Sequence, residues 1–333
     1  MRNGLLNLLA CPDCHHPFHI QAASTQNDRV RNGELVCSGG HRYPVKEFVP
    51  VFAHELDYMK VFSNLRRQPA GTLPSTEQLD VQKLTSDEFA GQTATSIEDL
   101  RGKTVLDAGC GGGRFLELLK SCGATIVGMD IDSTGLRRIG ATLADNGNLH
   151  FVHADLFRLP FRSGAFDFIH SLGVLHHTPD PKGAFLNLAR LLKPGGQIAI
   201  WVYPKSERTP LSDAIRPITT RIPSKYLYRI AHIVTTPYGP LLRMPRFKAR
   251  FQAMLYNARL PWHEEKYWRI HSFMDWYGPK YQFKYDPEEI QAWYSEAGLV
   301  DYIRCQYETS ARGSAPMSPQ ANTRLAQVEN EYH

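Results

Sequence analysis

The sequence predicts an α/β fold in which helices cover both faces of a largely parallel sheet, and three observations lead there. Between residues 103 and 203, short β-branched runs alternate with helical stretches, a pattern that requires parallel strands joined by crossover helices. A glycine loop, Gly109-Cys110-Gly111-Gly112-Gly113, follows the first of these strands. An acidic residue, Asp130, closes the second strand about twenty positions further on.

The elements follow in order. Residues 104–107 read as a buried strand, and residues 114–121 as a helix stopped by Gly123. Residues 125–131 are the second strand, and residues 149–155 and 166–171 the third and fourth. Residues 184–192 are helical, ended by Pro194-Gly195-Gly196, and residues 197–203 form a fifth strand. Asp286-Pro287-Glu288-Glu289 then opens a helix with an N-cap, an N1 proline and an N3 glutamate. That helix buries Ile290, Trp293 and Tyr294 and stops at Gly298. Residues 299–304 and 307–310 are expected as the last, antiparallel strands, which makes a seven-stranded, doubly wound sheet.

Composition bounds the class. At 333 residues, two domains are the prior. With 42% hydrophobic and 21% charged residues the chain has the apolar content of a globular core, which excludes a disordered polymer. No apolar stretch approaches the roughly 20 residues that span a bilayer, so a soluble protein is expected. Leu8-Leu9-Ala10-Cys11 resembles a lipoprotein cleavage site, but residues 5–10 are too short for an export signal and are broken by Asn7. A cytoplasmic location is therefore expected, with the six Cys as thiols or metal ligands rather than disulfides. Charge is concentrated: residues 201–250 hold ten Lys or Arg against Glu207 and Asp213, a net of +8, in a chain of net +5. Local positive charge points to a local anionic partner.

The first fifty residues carry a candidate metal site. Cys11 and Cys14 form a C-x2-C pair, and Cys37 and His41 a C-x3-H pair after a spacer. Two such knuckles, with Pro12-Asp13 in one and Ser38-Gly39-Gly40 in the other, complete a tetrahedron of the kind that holds structural zinc. His15, His16 and His19 compete for the fourth position but lie on the wrong side of the spacer. The strings LLACPDC, GELVC, HRYPV and VPVF resemble a short zinc-ribbon family that includes the activator subunit of certain tRNA methyltransferases. That family usually has a second C-x2-C pair, from which Cys37 to His41 departs; a C-x3-H knuckle also occurs at the N-terminus of a ribosomal RNA guanine methyltransferase.

In the glycine loop, Asp107 precedes the first glycine by two residues, which suits a cationic or amine-bearing ligand better than a pyrophosphate. VLDAGCGGGRF, GMDID, HADLFRLPF, FDFIHSLGVLHHTPD and LLKPGGQIAIWVY are similar in order and spacing to the motifs of class I S-adenosylmethionine-dependent methyltransferases, over residues 101–205. The resemblance implies a Rossmann-like sheet and S-adenosylmethionine as cofactor. It places Asp107 beside the methionine amine, with Gly109 and Gly111 leaving room for the methionine moiety. It gives Asp130 the ribose hydroxyls and Ile131 the adenine face. Asp155, flanked by Ala154 and Leu156, would take the adenine amino group, and Ser171 and Leu172 would pass beneath the cofactor. Cys110 reads as a space-filler, not a nucleophile.

The stretch after the fourth strand reads Gly173-Val174-Leu175-His176-His177-Thr178-Pro179-Asp180, a version common among methyltransferases of quinones, lipids, sugars and secondary metabolites. His176 and His177 are candidate bases, since imidazole titrates near neutrality, or else orient the cofactor pocket or cap the next helix. Residues 204–285 are too long for a bare loop and are expected to form a helical cap; Ser224 is an N-cap candidate, followed by Leu227, Ile230, Ala231 and Val234 at helical spacing. His271, Asp275 and Tyr277, in the run HSFMDWYGPKYQ, are candidates for acceptor contact or proton removal, against simple core packing.

The expected organisation is a zinc ribbon at 1–58, connector helices at 59–100, a methyltransferase domain at 101–313 with the cap at 204–285, and a flexible tail at 314–333. Within the connector, helical signals fall near residues 75–83 and 86–92. The leading functional expectation is methyl transfer to a small-molecule, lipid-linked or sugar-type acceptor, anionic in character, enclosed under the cap. The alternative is an rRNA or tRNA base methyltransferase that grips the phosphate backbone through ribbon and cap. A non-catalytic, cofactor-holding partner is a third class, and contact with a membrane surface is compatible with the basic cap.

Overall fold

The computed structural model describes residues 1–27, 29–53, 79–143, 147–205, 210–244, 246, 248–258 and 260–317. A four-stranded antiparallel meander comes first: β1 (Phe18–Gln26), β2 (Arg29–Cys37), β3 (Arg42–Lys46) and β4 (Val49–Pro50). The main sheet has seven strands: β5 (Thr104–Ala108), β6 (Thr125–Asp130), β7 (Leu149–His153), β8 (Phe166–Leu172), β9 (Leu192–Trp201), β10 (Val300–Arg304) and β11 (Ser310–Ser314). Their order is β10-β11-β9-β8-β5-β6-β7. The strands from β9 to β7 run parallel, while β11 is antiparallel to both β9 and β10. The order reverses between β5 and β8, and in such sheets ligands bind outside the carboxyl ends of the strands at that switch point.

Adjacent residues of a strand face opposite sides, and the core divides accordingly. Val105, Ile126 and Phe168 pack with Phe89, Leu116, Leu119 and Leu136. These last come from α1 (Leu79–Thr93), α2 (Arg114–Leu119) and α3 (Ser133–Leu143). Leu106, Val127, Ile169 and Ile198 pack on the other face with α4 (Pro181–Ala189) and α10 (Pro287–Glu296). Leu5 and Leu9, ahead of the meander, and Phe18, Leu35 and Val45 within it belong to that second cluster, so ribbon and sheet share one core. Backbone bonds seal the junction: Val51 bridges His153 at the β7 edge, the Phe52 amide donates to the His153 carbonyl (2.8 Å), and that of Ala10 to Pro160 (3.0 Å). An otherwise open sheet edge is thereby covered.

The chain leaves the sheet after Tyr203 and returns at Tyr285, where Pro204 and Tyr285 bridge. Between them lie α5 (Pro210–Thr219), α6 (Ser224–Thr235), α7 (Gly239–Leu242), α8 (Lys248–Asn257) and α9 (Lys266–Tyr277). Leu227 and Ala231 of α6 pack against Ile270, Phe273, Met274 and Tyr277 of α9 in a third cluster.

Several elements differ from expectation. The helix placed at 184–192 is α4, which begins at Pro181 because Asp180 caps it, its carboxylate accepting from the Gly183 amide (3.0 Å). Pro194-Gly195-Gly196 does not stop a helix but lies within β9, where the register with β8 shifts; glycine and proline mark a bulge as readily as a terminus. The last strand is Ser310–Ser314 rather than 307–310, because the Tyr307 and Ser310 backbones close a turn first (3.0 Å). Helix α3 went unread in the sequence. Of the connector signals, that near 86–92 falls within α1; the other begins among residues 54–78, outside the described residues, as does the tail from 318.

Candidate functional site

The ribbon's four donors meet. Sγ of Cys14 and Cys37 are 3.5 Å apart, His41 Nδ1 lies 3.5 Å from Sγ of both Cys11 and Cys37, and all four ligand atoms fall within 4.8 Å of one another. Bonds of about 2.3 Å to sulfur and about 2.0 Å to nitrogen in a tetrahedron call for separations of roughly 3.5–3.8 Å. The donor set therefore fits a zinc ion. The turn at Ser38-Gly39-Gly40 passes so close that a Cβ on Gly39 would stand 2.9 Å from Cys14 Sγ. Asp13, between the first two thiols, accepts from the Tyr43 hydroxyl (2.5 Å) and from Arg158 Nε (3.0 Å), which ties the knuckle to the loop after β7.

At the switch point, Asp107 is the penultimate residue of β5, buried, and its Oδ2 has no hydrogen-bond partner. Burial, reinforced by the neighbouring Asp130 carboxylate, pushes its carboxyl well above the usual range. A cationic group brought there would supply the missing partner. Gly109 has φ +89°, and a Cβ on it would lie 2.5 Å from Val174, so the cradle admits no side chain. Asp130 receives the Gly111 and Asp132 amides (2.7 and 2.8 Å), which orients its carboxylate over the loop. Ile131, partly exposed, has its carbonyl bound by His153 Nε2 (2.8 Å). Ala154 and Leu156 are buried on either side of Asp155, whose Oδ1 accepts from the Phe157 amide (3.1 Å). The Ser171 hydroxyl donates to the Ala108 carbonyl (2.8 Å), pinning β8 to β5, and Leu172 is half-buried beside it. An unpaired buried carboxylate above a side-chain-free cradle fits the amine and chain of S-adenosylmethionine.

Val174, which rests on that cradle, leads into a short 3-10 turn, Leu175–His177. His176 is fully buried, stacked on Tyr203 (4.0 Å between ring centroids), and neither ring nitrogen has a partner. Burial, with His177 alongside, holds its pKa well below the ordinary imidazole value, so it is neutral near pH 7. His177 places Nδ1 3.0 Å from the Tyr281 carbonyl and Nε2 3.4 Å from Asp275 Oδ1. The Tyr203 hydroxyl donates to Asp275 Oδ2. Burial would raise the Asp275 pKa, but His177, His271 and Tyr203 outweigh it and keep the carboxyl below the usual range, hence ionised. Arg216 of α5 donates to the carbonyls of Trp276 and Pro279, closing the cluster from the cap side.

Of the residues singled out in the sequence, the structure brings His176, His177 and Asp275 together. His271 lies one helical turn before Asp275, packed beside Tyr267 and Trp268. Tyr277 is 3% exposed in the cap's apolar core, against Phe273. Tyr203 and Arg216 were missed; the signal for Tyr203 was its place at the carboxyl end of a parallel strand. His170 was missed too: fully buried among Phe89, Phe115 and Phe168, it sits 3.6 Å from Asp107, and burial lowers its pKa to about 3.

Residues 106–200 match the family described as a methyltransferase domain, and residues 2–47 the family described as Trm112p-like protein. The chain carries a methyltransferase domain. Residue for residue, it is 34% identical over 106 residues to a sterol 24-C-methyltransferase of Gibberella zeae, covering 31% of this chain and 28% of that protein. It is 36% identical over 107 residues to a ubiquinone biosynthesis O-methyltransferase of Thiobacillus denitrificans, covering 31% of this chain and 44% of that one. The match thus spans less than half the length of either relative. Among solved structures, a complex between the Haloferax volcanii Trm112 methyltransferase activator and a putative methyltransferase aligns over 77% of this chain and 97% of that chain, at 15% identity and a TM-score of 0.42. The residues matched to the methyltransferase domain run from Leu106 within β5 to Ile200 within β9, and so include the glycine loop, Asp107 and both histidines of the 3-10 turn.

Proposed function

We propose that the chain transfers a methyl group from S-adenosylmethionine to a small-molecule or lipid-linked acceptor held between the strand ends and the cap, with zinc as a structural ion at Cys11, Cys14, Cys37 and His41. The observation that carries this reading is the buried cluster of His176, His177, Tyr203 and Asp275, which joins the cap to the turn resting on the glycine loop. The matched relatives include methyltransferases of sterol and ubiquinone biosynthesis, whose acceptors are small molecules.

S-adenosylmethionine, when bound, supplies a methyl group already activated on a sulfonium. Asp107 neutralises the cofactor's amine, while Asp130 and Asp155 hold the ribose and adenine ends. His176 offers a neutral, unpaired nitrogen to the acceptor's hydroxyl and takes its proton as the methyl group is received. The ionised Asp275 stabilises the charge His176 gains, and Tyr203 and His177 hold that carboxylate in place. A positioned base of this kind contributes about 10²–10⁴ in rate.

The competing reading is RNA methylation, favoured by the Trm112p-like match and the +8 segment. The test is methyl-labelled S-adenosylmethionine with purified protein and an extract of cells lacking the gene, separated into organic, small aqueous and nucleic-acid fractions. Label in the organic or small aqueous fraction is expected; label in nuclease-sensitive RNA overturns the reading. Two variants separate its halves. Asp107→Asn should weaken cofactor binding by calorimetry at least roughly a hundredfold, given a buried charge pair lost. His176→Ala should keep cofactor affinity and lose about 10²-fold in turnover. Because the His176 pKa is depressed, its neutral form persists on acidification, and kcat should hold through pH 6.5 and fall only below it.

A further inference from the structure

The outer face of the cap carries side chains that the acceptor site does not use. Leu241, Met244, Arg250, Phe251 and Met254, on and beside α7 and α8, line an open groove of about 370 Å³. Leu241, Met244 and Met254 are 46%, 44% and 54% exposed. Soluble surfaces carry single exposed apolar residues, but a cluster of this size marks a contact site. Exposed cations belong to the same stretch of chain: Arg250 lines the groove, and Arg243 and Arg246 flank Met244 in sequence. From residue 241 to residue 250 the sequence has four basic residues, Arg243, Arg246, Lys248 and Arg250, and no acidic one.

We propose that this face of the cap docks on the surface of an anionic phospholipid bilayer. Guanidinium and ammonium groups interleaved with large aliphatic side chains are what a headgroup region and the hydrocarbon beneath it can satisfy together. RNA would engage the same cations, but Leu241, Met244 and Met254 gain nothing from a polyanion, whereas acyl chains remove them from water. Among the described residues no helix is long and apolar enough to cross a membrane, so the contact is interfacial. The proposal goes beyond the methyl-transfer reading and holds whatever the acceptor is.

The experiment is flotation of the full chain with vesicles of phosphatidylcholine alone and of phosphatidylcholine with phosphatidylglycerol. Binding to the anionic vesicles and not to the neutral ones is expected. Met244→Glu with Met254→Glu should lower partitioning at least roughly tenfold, since two buried apolar contacts are lost and acidic groups added. Arg243→Gln and Arg250→Gln should each lower it about fivefold. Circular dichroism and S-adenosylmethionine affinity should be unchanged in every variant, which separates lost docking from misfolding and from failure of the proposed reaction. No binding to anionic vesicles overturns the proposal. So does binding indifferent to the Met substitutions, and tighter binding to a single-stranded RNA oligonucleotide would assign the face to RNA instead.

Discussion

The ribbon and the cap are attached to the same sheet in opposite ways. Among the described residues the ribbon has no core of its own: Leu5, Leu9, Phe18, Leu35 and Val45 share one cluster with Leu106, Val152 and Phe161. The cap has one, built from Leu227, Ala231, Ile270, Phe273, Met274 and Tyr277, and it meets the sheet through the Pro204–Tyr285 bridge and the polar groups around Asp275. An element that shares a core unfolds with it, whereas one with its own core opens without exposing the sheet. The ribbon therefore acts as architecture. The cap is free to admit and enclose a molecule, which suits the acceptor site proposed there.

The largest effect should come from the zinc proposed at the ribbon's four donors. Stripping zinc with a chelator, or substituting Cys37→Ser, removes binding energy that in isolated zinc modules amounts to about 10–16 kcal/mol. Because the core is shared, calorimetry should show one unfolding transition, lowered by roughly 10 °C or more, with ribbon and sheet melting together. A two-step melt, with the sheet's transition unmoved, would break the comparison at once.

Smaller and more local is the effect of Met274→Ala. Met274 is fully buried in the cap core, and the cavity should cost about 2–5 kcal/mol. Hydrogen exchange should accelerate in α6 and α9 while β5 and β6 keep their protection, and cofactor affinity should not change. Exchange rising equally across the main sheet would mean that the cap is not a separate unit.

The same contrast governs what could be read from the sequence. Two residues separate Cys11 from Cys14 and three separate Cys37 from His41, and the glycine loop and its acids follow one another along β5 and β6, so local spacing carried them. Helix α3 carried a local signal that was overlooked: Asp132 caps it, accepting from the Thr134 and Gly135 amides (3.0 and 3.2 Å), but Ser133-Thr134-Gly135 reads as a turn. Tyr203 was not legible as a site residue, because the carboxylate it contacts lies 72 positions away and reaches it only once the cap has folded back. Arg216 likewise meets Trp276 and Pro279 across 60 and 63 positions. Nor could spacing reveal that the ribbon lies against β7, a contact made by Arg158 and Asp13 across 145 residues.

That clamp supplies the smallest test. Arg158 and Asp13 have side chains 47% and 32% exposed, so solvent screens the pair and its worth should be about 0.2–1 kcal/mol. Arg158→Gln should lower the single melting transition by no more than roughly 2 °C. A double-mutant cycle with Asp13→Asn should return a coupling within that range, shrinking as salt is added. A coupling above about 2 kcal/mol would mean that polar contacts hold the ribbon in place rather than the shared core. Ribbon and cap would then differ in the strength of their attachment and not in its kind.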